Sequence, residues 1–91
     1  MNIDELTVIV NKHDPINLLK MGAPDDEYQM EVADIFVALR DKKMSESELA
    51  EEIKFIFIRW FGERTVTDQG VQAYQHLAHE IMARRNGSAP L

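Results

Sequence analysis

Apolar side chains recur at intervals of three and four along most of this 91-residue chain, and that spacing commits it to amphipathic helices. The strongest instance runs from Leu49 to Trp60, where Leu49, Ile53, Ile56, Phe57 and Trp60 share one side of a helical wheel. Just before it stands Ser45-Glu46-Ser47-Glu48, a capping box. The serine hydroxyl accepts from the third helical amide while the glutamate reaches back to the cap. Gly62 supplies the stop. Phe55, Ile58 and Phe61 fall on the opposite side, so the second half of this helix is apolar nearly all round. Such a helix is either central to a bundle or covers a partner. With five helical segments in so short a chain, core is the expectation for these three residues, and an association surface is the alternative.

The remaining segments follow the same grammar. Asn2 and Asp4 can each cap a first helix carrying Ile3, Leu6, Ile9 and Val10, although the β-branched run Val8-Ile9-Val10 keeps a strand as a rival over residues 2–11. Asp14-Pro15 predicts a second, short helix through Ile16, Leu18, Leu19 and Met21, with Asp14 capping and Pro15 in the first position. Gly22 and then Pro24 end it. Asp25, Asp26 and Glu27 stand where a third helix begins, since carboxylates there meet free amides and the positive end of the helix dipole. Its buried stripe is Tyr28, Val32, Ile35, Phe36 and Leu39. Thr67 or Asp68 opens the last helix, with Val71, Tyr74, Leu77, Ala78, Ile81 and Met82 inward and Arg84 and Arg85 at its negative end. The predicted architecture is all-α: a compact bundle of four to five short helices over residues 1–86, with 87–91 as a flexible C-terminal tail.

Composition removes several function classes. The chain has no cysteine, so disulfides, thiolate metal sites and thiol nucleophiles are excluded together, in keeping with a reducing, cytoplasmic setting. The most apolar stretch, Ile53–Phe61, is interrupted by Lys54 and Arg59 and falls far short of the ~20 residues that span a bilayer. No start pairs basic residues with an apolar run as a signal peptide does, so a soluble protein without a membrane partner is expected. The formal net charge is −6. Nucleic-acid binding needs a concentrated positive field, and the one tight basic group, Arg40, Lys42 and Lys43, sits at a helix end where cations complement the dipole. Nucleic acid is not an expected partner.

Four constellations could carry chemistry. His76, His79 and Glu80 have the three- and four-residue spacing that helical metal sites use. On the wheel, however, they lie away from the apolar stripe, on the solvated side, where the dry pocket of a catalytic metal is lacking. Asp25-Asp26-Glu27-Tyr28 offers paired carboxylates, yet it lacks the spaced oxygen ligands and glycine of a calcium loop, and capping accounts for each residue. Ser45 and Ser47 belong to a helix start and Ser88 to the tail, so no serine occupies a strand-to-helix elbow. The four glycines do not cluster into a phosphate cradle. The last constellation is the apolar face of Phe55, Ile58 and Phe61.

Two segments carry a family resemblance: Asp14-Pro15-Ile16 and, seven residues after the proline, Gly22-Ala23-Pro24-Asp25-Asp26-Glu27-Tyr28. With the Phe61-Gly62 ending, the chain over roughly residues 2–62 resembles the YugE-like small bacterial family, a domain of unknown function. The resemblance implies a small, acidic, all-helical protein and carries no established activity, cofactor or catalytic residue. Relatives tend to have glycine where this chain has Asn17. The last helix, with His76-Leu77-Ala78-His79, lies outside the resemblance.

By subtraction, the sequence reads as a small non-enzymatic domain that acts by protein–protein binding, with no catalytic, cofactor-binding or metal residue assigned. Its acidic surface would steer it to a basic partner, as in an immunity- or inhibitor-like protein that masks a cationic one. Monomer and weak homodimer are both compatible with it. The rival is a metal- or carboxylate-dependent enzyme using His76, His79, Glu80 or the acidic turn, and it requires a cleft that joins those groups.

Overall fold

A computed structural model of the chain describes residues 1–68 and 70–85. The end of the predicted domain at residue 86 and the predicted tail 87–91, with Ser88, lie outside the described residues. Five helices form in chain order: α1 Ile3–His13, α2 Gln29–Asp41, α3 Glu46–Phe61, α4 Glu63–Asp68 and α5 Gln72–Arg85. No strand occurs among the described residues, so the helical reading of the N-terminus prevails over its β-branched run.

Local capping explains the first and third starts. Asn2 Oδ1 accepts from the Glu5 amide at 2.8 Å while Glu5 Oε1 accepts from the Asn2 amide at 3.0 Å, closing a reciprocal pair. Ser45 and Glu48 repeat the device, with Ser45 Oγ accepting at 3.2 Å and Glu48 Oε1 accepting at 2.8 Å. Gly62 ends α3 at φ 91°, a left-handed backbone that glycine adopts without steric cost. α1 packs on α2 and α5, while α3 packs on α2, α4 and α5, so the four long helices close a ring. Leu6, Ile9, Val10, Val32, Ile35, Leu49, Ile53, Ile56, Phe57, Tyr74, Leu77 and Ile81 fill its centre. The radius of gyration, 12.3 Å, equals the ~12 Å expected of a globule this long.

Three sequence expectations change. Residues 14–28 form successive turns, and the helix predicted from Pro15 to Met21 is absent. Asp14 is the C-cap of α1, at φ 46°, its amide donating to the Val10 carbonyl at 2.8 Å, and Asn17 follows at φ 61°. Two left-handed residues so close together interrupt a helix, and asparagine ranks next to glycine in tolerating that conformation. α2 begins at Gln29, so Asp25, Asp26 and Glu27 occupy the preceding turns and Tyr28 is its N-cap without a side-chain cap bond. The last helix starts at Gln72 and not at Thr67 or Asp68, which close the short α4; Gly70, φ 90°, separates the two and leaves Val71 outside the core at 43% exposure.

The turn segment is held by one partly buried knot of hydrogen bonds. The Tyr28 hydroxyl donates to Asp14 Oδ1 at 2.5 Å and accepts from the amides of Ile16 (3.4 Å) and Leu18 (3.3 Å). Asp14 also accepts from the amides of Leu19 (3.0 Å) and Lys20 (2.9 Å). These bonds satisfy the backbone donors that a helix would otherwise have paired. Burial, together with the Asp14 carboxylate, raises the Tyr28 hydroxyl well above its usual pKa and keeps it a neutral donor.

Candidate functional site

α2 and α3 run antiparallel, as two ion pairs across them show: Arg59 Nη1 stands 3.5 Å from Asp34 Oδ2, and Lys42 Nζ 3.3 Å from Glu52 Oε2. Between them lies a surface groove of about 220 Å³ lined by Asp34, Val37, Ala38 and Asp41 from α2, by Glu52, Ile56 and Arg59 from α3, and by Lys42. The α2 residues follow the i, i+3, i+4, i+7 rule that places side chains on one helical face. On α3 the same rule reads Glu52, Phe55, Ile56 and Arg59, so the two helices present matching registers. Ala38 and Ile56 form the buried floor. Val37 forms an exposed apolar wall at 48%, and Phe55, next to Ile56 on α3, is 56% exposed to solvent beside the groove's lining.

At one end of the groove the indole of Trp60 donates to Asp34 Oδ2 at 2.8 Å. Trp60, expected inside the stripe, is 43% exposed, its ring held at the surface by that bond to Asp34. The apolar trio on the far side of α3 divides. Ile58 and Phe61 pack against the core, Phe61 with its ring 5.9 Å from that of Phe57, whereas Phe55 stays in solvent with Lys54 Nζ 5.6 Å from its centroid.

The histidine set is dispersed. His79 Nδ1 lies 3.1 Å from Glu46 Oε1 of α3, and His76 is exposed. Glu80 is not on the solvated side where the wheel placed it: its carboxylate meets Lys12 Nζ at 2.7 Å, His13 Nε2 at 2.8 Å and Arg84 Nη2 at 3.2 Å. Hydrogen bonds from Lys12 hold Glu80 below the usual carboxylate pKa, against partial burial, with His13 adding to the effect. This cluster ties the end of α1 to α5 and is saturated by its own members. Among the described residues no three His, Cys, Asp or Glu side chains are grouped to hold a metal ion. In the acidic turn, Asp25, Asp26 and Glu27 are exposed, and the Asp25 carbonyl accepts from Asn11 Nδ2 at 2.9 Å. None of the three hollows of the described residues is lined by these carboxylates or by His76 or His79.

Sequence reasoning singled out Phe55 but missed Val37, Asp34, Glu52 and Arg59. Val37 falls outside the buried stripe of its helix, and an apolar residue off the stripe was the available signal. Two other hollows are lined by Met1, Phe36, Leu39, Arg40 and Arg85 (about 310 Å³) and by Glu46, Ser47, Ala50, Glu51 and Gln75 (about 420 Å³). Among the described residues no helix is long and apolar enough to cross a membrane. No family model, curated protein or solved structure matches the chain.

Proposed function

We propose that this chain is a small, non-enzymatic helical domain that acts by binding another protein through the α2–α3 face. The observation that carries the reading is the groove itself. It sets an apolar floor, Ala38 and Ile56, and an exposed apolar wall, Val37, among charged residues that fix orientation, and exposed Phe55 adjoins Ile56 on α3. Interfaces combine these elements: an apolar centre to desolvate and a polar rim to align. Among the described residues the Glu80 and Asp14 clusters, which gather titratable groups, are each engaged in bonds within the fold and so lend catalysis no support.

The test is capture with paired variants. Val37→Glu and Phe55→Glu should abolish retention of a protein held by the wild-type chain while leaving the melting temperature within a few degrees. Retention unchanged by both variants refutes the face as the binding surface.

A second reading rests on charge. With net −6, and with Glu46 and Glu51 lining a separate hollow of about 420 Å³, the domain would draw and mask a basic protein in the manner of an immunity or inhibitor protein. That mode predicts an association rate that falls steeply between low and physiological salt. A salt-independent rate excludes it.

A further inference from the structure

We propose that the partner of the α2–α3 face is a second copy of this chain, docked about a two-fold axis that runs across the groove. The inference rests on reading that face as an interface, and it follows from how the charges are distributed along it. A two-fold contact is isologous, so the face must be complementary to itself. Asp34 and Arg59 mark one end of the groove, and Lys42 and Glu52 the other.

Rotation about an axis across the groove lays α2 antiparallel on its counterpart and α3 on its own, and brings each end over the opposite end. Asp34 then meets Lys42 of the other copy, and Arg59 meets Glu52. Two of the three acids that line the groove then face a base. Asp41, the remaining carboxylate, has Arg40 at 3.9 Å within its own chain. The axis falls close to Val37 on α2 and Phe55 on α3, since each lies near the midpoint of the charged pair on its own helix. The most exposed apolar side chains of the face therefore stack on their own copies at the centre of the contact. A uniformly basic partner would instead meet Lys42 and Arg59 with like charge.

Two other candidates are weaker. The hollow beside Arg40 and Arg85 lies at the C-terminal ends of α2 and α5, where the helix dipoles repel an anion. Glu31, buried at 3% exposure, lines none of the three hollows described.

Sedimentation velocity on the full chain, from micromolar to millimolar concentration, tests the proposal. A monomer–dimer equilibrium is expected, and Phe55→Glu should raise its dissociation constant by roughly 30-fold or more, the effect of losing a central anchor. Circular dichroism of the variant should stay unchanged, because Phe55 already stands in solvent. Arg59→Glu should weaken the homodimer by opposing Glu52, and mixing it with Glu52→Arg should re-form a heterodimer, since both contacts then pair opposite charges again. A chain monomeric throughout, a dimer indifferent to Phe55→Glu, or a mixture that stays monomeric each overturns the proposal. In the first case, loss of a captured heterologous protein on Phe55→Glu would leave the broader binding function standing.

Discussion

The Tyr28 hydroxyl lies 2.5 Å from Asp14 Oδ1, and this one bond joins the end of α1 to the start of α2 across a segment with no helix of its own. Through it the segment from residue 14 to 28 is pinned at both ends, and Ile16 is held in the core at 1% exposure. Tyr28→Phe keeps the ring against Phe57, 5.7 Å between centroids, but leaves the amides of Ile16 and Leu18 without their acceptor. Stranding buried donors costs about 1–3 kcal/mol, so the variant should melt roughly 4–20 °C lower with its helix content unchanged. Asp14→Ala should cost more, since it removes three accepted bonds and sets alanine at φ 46°. Denaturant unfolding in which Tyr28→Phe matches wild type would show that the knot contributes nothing.

Among the described residues Glu31 is the one charged side chain that is buried, at 3% exposure, and its Oε1 lacks a partner there. Burial raises its pKa above the usual 4.5, and the like charges of Asp34 and Glu27 add to the shift against its own backbone amide. The folded state thus holds this proton more tightly than the unfolded state. Its contribution to stability is fully present below pH ~4.5 and is lost as pH rises through the folded value. Glu31→Leu should remove that loss and stabilise the domain by about 1 kcal/mol at pH 7. Lower stability of Glu31→Leu at pH 7 would contradict the argument.

Glu80 titrates with the opposite sign. Its carboxyl is held below the usual range, chiefly by Lys12, so the stability it supplies is present above pH ~4.5 and disappears as pH falls through the lowered value. At 19% side-chain exposure the cluster is partly screened, and Glu80→Gln should cost about 1 kcal/mol at pH 7, a cost that vanishes once the pH falls below the lowered Glu80 value. A Lys12→Met and Glu80→Gln double-mutant cycle followed by thermal melting across pH 3–7 measures the coupling. A coupling independent of pH would assign the effect to packing.

Local signals were legible in the sequence, and distant partners were not. The Asn2–Glu5 and Ser45–Glu48 boxes span three residues each, so residue types at that spacing specify the bonds. Asp14 shows the converse. An aspartate before a proline reads as a helix start, yet its decisive partner is fourteen residues away, and the left-handed backbone at Asp14 and Asn17 ends helices there. A helical wheel puts Glu80 in solvent because it represents one helix at a time and omits the Lys12 and His13 that α1 brings to it. The groove failed for the same reason. Val37 and Phe55 were visible as apolar residues, but the pairing of Asp34 with Arg59 and of Lys42 with Glu52 exists only once α2 and α3 lie antiparallel.

Trp60, the only tryptophan in the chain, makes that groove observable. Its indole donates to Asp34 at 2.8 Å at the end where Arg59 also stands, and it remains 43% exposed. Covering the face withdraws the ring from water, so any occupant should move its emission to the blue. Asp34→Ala removes the acceptor of an exposed bond and should change stability by less than about 1 kcal/mol, while altering the emission of the free chain. If the face binds as proposed, titration to high concentration shifts Trp60 emission in the wild-type chain and leaves it fixed in Phe55→Glu, a substitution on the side of α3 turned away from the indole. Equal shifts in both chains would place the event that Trp60 senses somewhere other than the groove.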